Sequence, residues 1–382
     1  MPALIINNYY TPYRDDLYAA IQRLNEGEGD VSRVLYVSAP EAKRKMSGWL
    51  LGWQDAKANA IAVDDPAVIM GRSGRRVSLP IRTVRQLKKL DRKSIICGFS
   101  RDMVLVQILC LWFARARGAK LVYWIGDVKG APPAGVSARI IDAIRLFCAR
   151  RADGAIFYSE KSRDWFADKN SGREPRAVWI GGQVRNRIEE TATRTEKSEF
   201  VELGREQGVL KLLFVGTNEP RKGLGQLVRD LKCIELFLDR PIRLLVAGMQ
   251  RPNTHEWDKL SILWLGHLKS SDLYSVYQSS DIPIIASLQE PWGFVFNEAV
   301  LAGRPCIVAE SAGASVVAKA YGLAYVPGAP KSLLLAIRNA QSIEREKMLK
   351  IEESLSVERA AKSFSDFLKL VESGGSGVVK DY

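Results

Sequence analysis

Two carboxylates, Glu290 and Glu298, bracket a glycine-containing junction in the stretch Glu290-Pro291-Trp292-Gly293-Phe294-Val295-Phe296-Asn297-Glu298. Their spacing predicts Glu290 in a loop and Glu298 about one turn inside a helix. Gly293, Phe294 and Val295 would then present free N–H groups and the positive end of the helix dipole, which suits a phosphate. Glu298 would repel a phosphate; it suits a neutral diol, as an acidic residue serves ribose hydroxyls in dinucleotide folds. A second junction, Phe214-Val215-Gly216-Thr217-Asn218-Glu219-Pro220-Arg221-Lys222-Gly223, sets Arg221 and Lys222 just ahead of another helix. A guanidinium and an ammonium there would clamp a diphosphate and neutralise charge as it departs. The inventory is therefore one of stabilising a leaving anion while carboxylates hold hydroxyls. It needs no divalent metal and contains no evident nucleophile. The plain alternatives are a helix that begins with a solvated Glu and a helix that begins with a solvated basic pair.

Both junctions need strands to lead in and helices to lead out. Asp281–Ser287 reads as a β-branched strand entering the first, and an apolar helix of roughly Phe294–Gly303 leaves it. The first half predicts strands at Leu4–Asn8, Val31–Ser38, Ser94–Phe99, Lys120–Ile125, Gly154–Tyr158 and Ala177–Ile180. Helices alternate with them at Asp15–Asn25, Pro80–Leu90, Met103–Arg117, Ala138–Arg151 and Lys161–Asp168. The second half repeats the alternation from Lys211–Val215 to Leu323–Val326. Such spacing argues for βαβ units and doubly wound parallel sheets. The expected organisation is a Rossmann-like domain over 1–182, a polar linker over 183–209 and a second Rossmann-like domain over 210–342. A C-terminal helix over 343–371 and a disordered Ser/Gly-rich tail over 372–382 complete it. Two such domains in tandem suggest a cleft faced by strand C-termini.

The Glu-x7-Glu pattern, followed by Ala299, Gly303, Pro305 and Ala312-Gly313-Ala314, resembles the donor-site signature of retaining GT-B glycosyltransferases of the family 4 type. The resemblance implies an α/β GT-B fold, with the 343–371 segment crossing back to the first domain. It implies transfer of a hexose-type sugar, with retention, from a UDP- or GDP-linked donor and without a metal cofactor. Glu290, Lys222, Arg221 and Asp127 become the expected catalytic residues. Gly216, Thr217, His267, Gly293, Phe294, Val295 and Glu298 are expected at the donor, and Tyr13 and Arg14 at the acceptor. The chain departs from the family at Thr217, where an Arg is usual and for which Arg221 would substitute. It departs again near Tyr123-Trp124-Ile125-Gly126-Asp127, where relatives place a His; both histidines, His255 and His267, lie in the second half, and Asp127 is the nearest polar substitute. An N-cap is the competing role for Asp127, ordinary loop charge the competing role for Arg14, and a wall of the base pocket the expected role for His267. Front-face transfer, with the donor phosphate assisting deprotonation of the acceptor, fits this inventory.

Charge separates the halves. Residues 1–190 hold 32 Lys+Arg and 20 Asp+Glu, while the remainder holds 24 and 23. The basic half calls for an anionic partner. Lys43-Arg44-Lys45 beside Trp49, Leu50, Leu51 and Trp53, then Arg72, Arg75, Arg76, Arg82, Arg85, Lys88, Lys89, Arg92 and Lys93, suit an anionic membrane interface. A lipid-linked saccharide acceptor, used in bacterial surface polysaccharide synthesis, would account for them; a solvated basic face is the simpler account. Nucleic acid is the disfavoured partner, since no recognition motif accompanies the charge. The rivals to a sugar transferase acting at a membrane are a nucleic-acid-modifying glycosyltransferase, a GT-B-like epimerase and a non-catalytic subunit. No run approaches the ~20 apolar residues of a spanning helix, and a strand rather than a leader opens the sequence. The expected location is the cytoplasm, peripherally on the inner face of the membrane. Cys97, Cys110, Cys148, Cys233 and Cys306 show no metal-ligand spacing and are expected to be reduced core residues. Asp64-Asp65 reads as loop.

Overall fold

The computed structural model describes residues 3–8, 12–24, 32–37, 60–63, 65–70, 75–89, 94–129, 135–184, 207–252, 260–268 and 270–382. The strands are β1 Ala3–Asn7, β2 Arg33–Tyr36, β3 Ala60–Ala62, β4 Ala67–Met70, β5 Arg75–Ser78, β6 Ser94–Gly98, β7 Lys120–Ile125, β8 Gly154–Phe157, β9 Ala177–Ile180, β10 Leu210–Val215, β11 Ile242–Ala247, β12 Ile262–Gly266, β13 Ile282–Ile285, β14 Ile307–Ala309, β15 Ala324–Tyr325 and β16 Gly377–Lys380. The helices are α1 Pro12–Leu24, α2 Ile81–Lys89, α3 Val104–Arg117, α4 Val136–Ala149, α5 Glu160–Lys169, α6 Leu224–Ile234, α7 Ser270–Ser279, α8 Val295–Leu301, α9 Ser315–Ala320, α10 Pro330–Gln341, α11 Arg345–Ser354 and α12 Val357–Glu372. They form two compact units, Met1–Val184 with Ser356–Tyr382, and Arg185–Leu355.

The first unit is built on an eight-stranded sheet in the order β16-β9-β8-β7-β6-β1-β2-β3, with every pairing parallel. Its strands are near-continuous apolar runs because both faces are covered. The two-residue side-chain period divides each strand between two cores. Leu4, Ile6, Ile95, Cys97, Leu121 and Tyr123 join Val106, Cys110 and Phe113 of α3. Ile5, Ile96, Val122, Trp124 and Ile156 join Leu17 and Tyr18 of α1 and Phe364 and Phe367 of α12. Trp179 of β9 is fully buried there, edge-on to Phe364 at 5.2 Å and stacked with Phe367 at 6.4 Å. Its indole N–H donates to Ser363 at 2.9 Å. Burial of each such aromatic is worth roughly 1.5–3 kcal/mol, which ties α12 to the first sheet. The β4–β5 hairpin is antiparallel and separate from the sheet.

Two expectations about the C-terminal region are corrected. Residues 343–371 are not one helix: α12, Val357–Glu372, groups with the first unit as expected, but α11, Arg345–Ser354, belongs to the second. The helix breaks at Leu355, Ser356 caps α12 through a 3.3 Å bond from the Arg359 N–H, and the unit boundary falls at this break. The tail is also ordered. Gly377–Lys380 adds a parallel edge strand to β9, and the Asp381 carboxylate accepts from the Gly182 N–H at 2.6 Å. A Ser/Gly composition predicts a flexible coil when nothing pairs with it; here β9 supplies a ladder.

The second unit carries a six-stranded parallel sheet in the order β12-β11-β10-β13-β14-β15. β10, β13 and β15 fall on the expected Lys211–Val215, Asp281–Ser287 and Leu323–Val326 to within two residues at each end. α8 is shorter than the expected Phe294–Gly303, with seven residues. Cys97, Cys110, Cys148 and Cys306 are buried free thiols, whereas Cys233 is exposed rather than in a core. Asp65 is indeed loop, but it has a purpose: its buried carboxylate accepts from the Arg82 and Thr83 N–H groups and the Thr83 hydroxyl, capping α2. Residues 185–206 of the expected linker lie outside the described residues. So do Tyr9–Thr11, the Lys43–Trp53 cluster, Asp64, Arg72, Arg92 and Lys93.

Candidate active site

The strand order decides which loops can meet. β10 is central in the second sheet; the chain runs outward to β11 and β12 on one side, then returns to β13 on the other. Such a switch point leaves a crevice outside the carboxyl ends of the strands, where α/β sheets take ligands. The loop after β10 holds Arg221 and Lys222, and the loop after β13 holds Glu290. Residues 68 apart in sequence therefore come together: Lys222 Nζ lies 2.5 Å from Glu290 Oε2, and an Arg221 guanidinium nitrogen lies 3.5 Å from the same oxygen. The Glu290 side chain is 15% exposed and that of Lys222 22%. The Ser287 hydroxyl is 3.5 Å from Glu290 Oε2.

Backbone fixes this geometry. The Leu288 N–H donates to the Arg221 carbonyl at 2.8 Å, joining the two loops directly. Gly223 adopts φ +75°, and a Cβ there would stand 2.0 Å from the Ala286 carbonyl oxygen, so only glycine lets the loops approach. Gly313 and Ala314 donate to the carbonyls of Glu290 and Trp292, each at 3.0 Å, and Ser311 donates to that of Ser287 at 2.6 Å. The Ala312-Gly313-Ala314 turn is thus the brace of the Glu290 loop. Gly293, at φ +106°, makes the turn into α8, where buried Trp292 donates to Asn297 at 2.7 Å.

Arg221 lies four residues beyond Thr217 on the same loop and reaches Glu290 from there. It also donates to Glu219 at 2.6 Å, and the Thr217 hydroxyl donates to that carboxylate at 2.9 Å. The bond from Arg221 holds the Glu219 carboxyl below its ordinary pKa. The positive charge of the site comes from these side chains more than from α8, a two-turn helix whose Phe296 N–H closes on the Gly293 carbonyl. Glu298 lies in the first turn of α8 and accepts from the Tyr277 hydroxyl at 2.8 Å. Gly216 ends the β10 ladder, its N–H donating to the Ala247 carbonyl. His267 stands exposed just past β12. Glu219, Tyr277 and Ser287 were not singled out from sequence; short-range reach within the loops could have flagged Glu219 and Ser287, whereas Tyr277 comes from the neighbouring α7.

The first unit has its own switch point, between β1 and β6. A cavity of about 400 Å³ opens there, lined by Asn7, Asn8, Arg14, Ser100, Arg101, Trp124, Asp127, Arg145 and Tyr158 among others. Asp127 is not a helix cap. It pairs with Arg145 at 2.8 Å, and Arg145 in turn pairs with Asp142 at 2.7 Å and donates to the Phe99 carbonyl. Arg101 grips Asp142 through two bonds of 2.7 and 2.8 Å. Burial raises the Asp142 carboxyl pKa, but the bonds from Arg101 and Arg145 outweigh it, and the net shift is downward. Arg14 is a buried residue of α1 rather than loop charge. Tyr13 shares the first turn of that helix. Among the described residues no cluster has the ligands of a metal site.

Comparison with known proteins follows this division. Residues 195–355, which cover the second unit's sheet, match the family described as Glycosyl transferases group 1. The chain is 30% identical, over 116 residues, to an uncharacterized glycosyltransferase of Methanocaldococcus jannaschii; the match spans 28% of this chain and only 29% of that relative. Anabaena HepE, solved in complex with UDP, is similar at a TM-score of 0.66 and 14% identity, over 97% of this chain and 100% of the other. An E. coli structure described as trehalose-6-phosphate bound with UDP-2-fluoro glucose is similar at a TM-score of 0.64 and 14% identity, over 96% and 99%. The two parallel-sheet units match the fold of GT-B glycosyltransferase structures.

Proposed function

We propose that the protein is a retaining glycosyltransferase that moves a hexose-type sugar from a nucleotide diphosphate sugar to a lipid-linked saccharide, in bacterial surface polysaccharide synthesis. The observation that carries this reading is the convergence of Lys222 and Arg221 on Glu290 at the β10/β13 switch point, within the residues that match the Glycosyl transferases group 1 family. The cations neutralise charge as the diphosphate leaves, the carboxylates of Glu290 and Glu298 orient hydroxyls, and no metal is required. The bond from the sugar's anomeric carbon to the donor phosphate breaks, and the bond to the acceptor oxygen forms on the same face. The acceptor proton passes to the departing phosphate oxygen. UDP in the solved structural relatives favours a UDP-linked donor over a GDP-linked one.

A peripheral membrane location, on the inner face, draws support from the surface of α3 and α4. These helices pack together and expose Ile108, Trp112, Val136, Ile140 and Phe147, with Trp112 61% and Phe147 50% exposed. Arg115, Arg117, Arg139, Arg150 and Arg151 are exposed on or beside the same helices, and Arg151 lies over the Phe147 ring at 3.6 Å. Exposed aromatic and aliphatic groups with guanidinium on or beside the same helices suit the interface of an anionic bilayer. Among the described residues no helix is long and apolar enough to cross a membrane.

Thermal unfolding with UDP and GDP tests the donor. A ligand at 100 times its Kd stabilises by about 2.7 kcal/mol. We expect a shift with UDP that Glu298→Gln reduces, together with sugar transfer in a product assay; no shift with either nucleotide overturns the reading. Flotation with anionic liposomes tests the location. Capture at low salt that Trp112→Glu abolishes is expected, and a protein that ignores such vesicles refutes it.

A further inference from the structure

The cavity at the β1/β6 switch point holds a cation with no counter-charge. Arg14 is 5% exposed. Its guanidinium lies 4.8 Å from the Trp124 ring centre and 4.7 Å from that of Tyr158, held by two aromatic rings. Its Nε has no hydrogen-bond partner, and among the described residues no carboxylate pairs with it. Ring contacts satisfy none of the five N–H donors that a guanidinium carries. The neighbouring cations are differently placed. Arg101 and Arg145 are bound to Asp142, and Arg145 also to Asp127.

The remaining orphans point the same way. Among the described residues, four buried atoms of residues lining this cavity have no hydrogen-bond partner: Arg14 Nε, Ser100 Oγ, Trp124 Nε1 and Arg145 Nε. All four are able to donate. These four atoms have almost no accessible surface, so what the 400 Å³ cavity meets is the positive charge of the Arg14 guanidinium, which suits an anion with acceptor oxygens. The lining holds three arginines against one carboxylate, Asp127, which agrees.

We infer that this cavity is an anion site in which Arg14 receives a phosphate group of the acceptor. The inference rests on the proposed sugar transfer for the word acceptor, but the site itself stands on the cavity's own geometry. A phosphate can accept the two parallel N–H bonds of a guanidinium fork and still present further oxygens to the other arginines of the lining. The rings fix the guanidinium plane, so the fork is set before the ligand arrives.

The test is titration calorimetry of the full chain with inorganic phosphate, in the presence of saturating UDP. Arg14→Gln should weaken phosphate binding at least about ten-fold, while the UDP-induced thermal shift remains. Arg14→Lys, which keeps charge but loses the fork, should recover part of it. Asp127→Asn removes the one lining carboxylate and should tighten phosphate binding about three-fold or more. Should Arg14→Gln fail to fold, Arg14→Lys and Asp127→Asn still carry the test with opposite signs. Phosphate binding that survives Arg14→Gln and disappears in Lys222→Ala belongs to the nucleotide site and overturns the inference. Loss of UDP binding by the wild type would strike at the donor reading alone. Displacement of phosphate by glucose 6-phosphate, or by a short isoprenyl phosphate in mixed micelles, supports the acceptor role and tells a free sugar phosphate from a lipid-borne one. Displacement by neither overturns that role.

Discussion

Glu290→Gln separates two roles that a carboxylate among cations can have. If Glu290 is a structural anchor for Lys222 and Arg221, its neutralisation frees them and loosens the site. If it orients a sugar, neutralisation leaves the cations available for phosphate and damages transfer alone. The structure sets the size of the gain in phosphate binding expected in the second case. Lys222 Nζ lies 2.5 Å from Glu290 Oε2 and the Arg221 guanidinium 3.5 Å from it. A phosphate oxygen held by Lys222 would therefore stand about 5 Å from the carboxylate. At about 5 Å and an effective dielectric of about 40, suited to a half-buried site, two unit charges repel by about 1.7 kcal/mol. Removing that repulsion should tighten UDP about fifteen-fold, and the gain should shrink with added salt. Transfer should fall by roughly a hundred-fold, the usual loss when one group aimed at the reacting centre is removed. Calorimetry with UDP over a salt series, beside a product assay under saturating donor, measures both. Weaker UDP binding in Glu290→Gln, or transfer that survives largely intact, would refute this reasoning.

Two further outcomes rest on single residues. Asp381 is buried, and burial pushes its carboxyl up to about 7 despite the bond from Gly182 and the nearby Arg359. A group with a raised native pKa holds a proton in the folded chain that it lacks when unfolded, so stability should fall as pH rises from about 4 to 7 and level off above. The span is worth about 4 kcal/mol, and Asp381→Asn, whose side-chain oxygen still accepts from Gly182, should abolish that component of the slope and raise Tm at pH 8. Equal Tm values for the two proteins at pH 8 would contradict it. Gly223→Ala places a methyl 2.0 Å from the Ala286 carbonyl at φ +75°. It should cost about 3 kcal/mol or more by forcing the two active-site loops apart. Unchanged Tm together with unchanged UDP binding would show that the junction tolerates a side chain.

How far the site could be read from the sequence depends on the range over which each feature is determined. Glu290, Glu298, Arg221 and Lys222 were legible because each sits at a strand–loop–helix junction marked by its own glycine and apolar runs, a signal contained within ten residues or so. Their meeting was not legible from those signals. It follows from β13 lying beside β10, which is a matter of strand order across 70 residues. The Arg101–Asp142–Arg145–Asp127 network was hidden for the same reason, since its members come from a 3-10 turn, one helix and one strand end. Asp127 accordingly looked like a lone polar group near a strand terminus. The tail shows the opposite error, a local signal that was overridden. Ser373-Gly374-Gly375-Ser376-Gly377 has no intrinsic preference for a strand, yet Val378 and Val379 pair with Val178 and Trp179, and Asp381 reaches Gly182. Both polar clusters lie at the point where strand order reverses, one in each sheet. Once the order is known, that rule alone selects the loops after β1, β6, β10 and β13. Lys222, Glu290 and Arg14, predicted for separate reasons, lie on or directly beyond three of those four loops. The fourth, after β6, supplies Ser100 and Arg101, which no local pattern marked and which only the topology brings to the cavity.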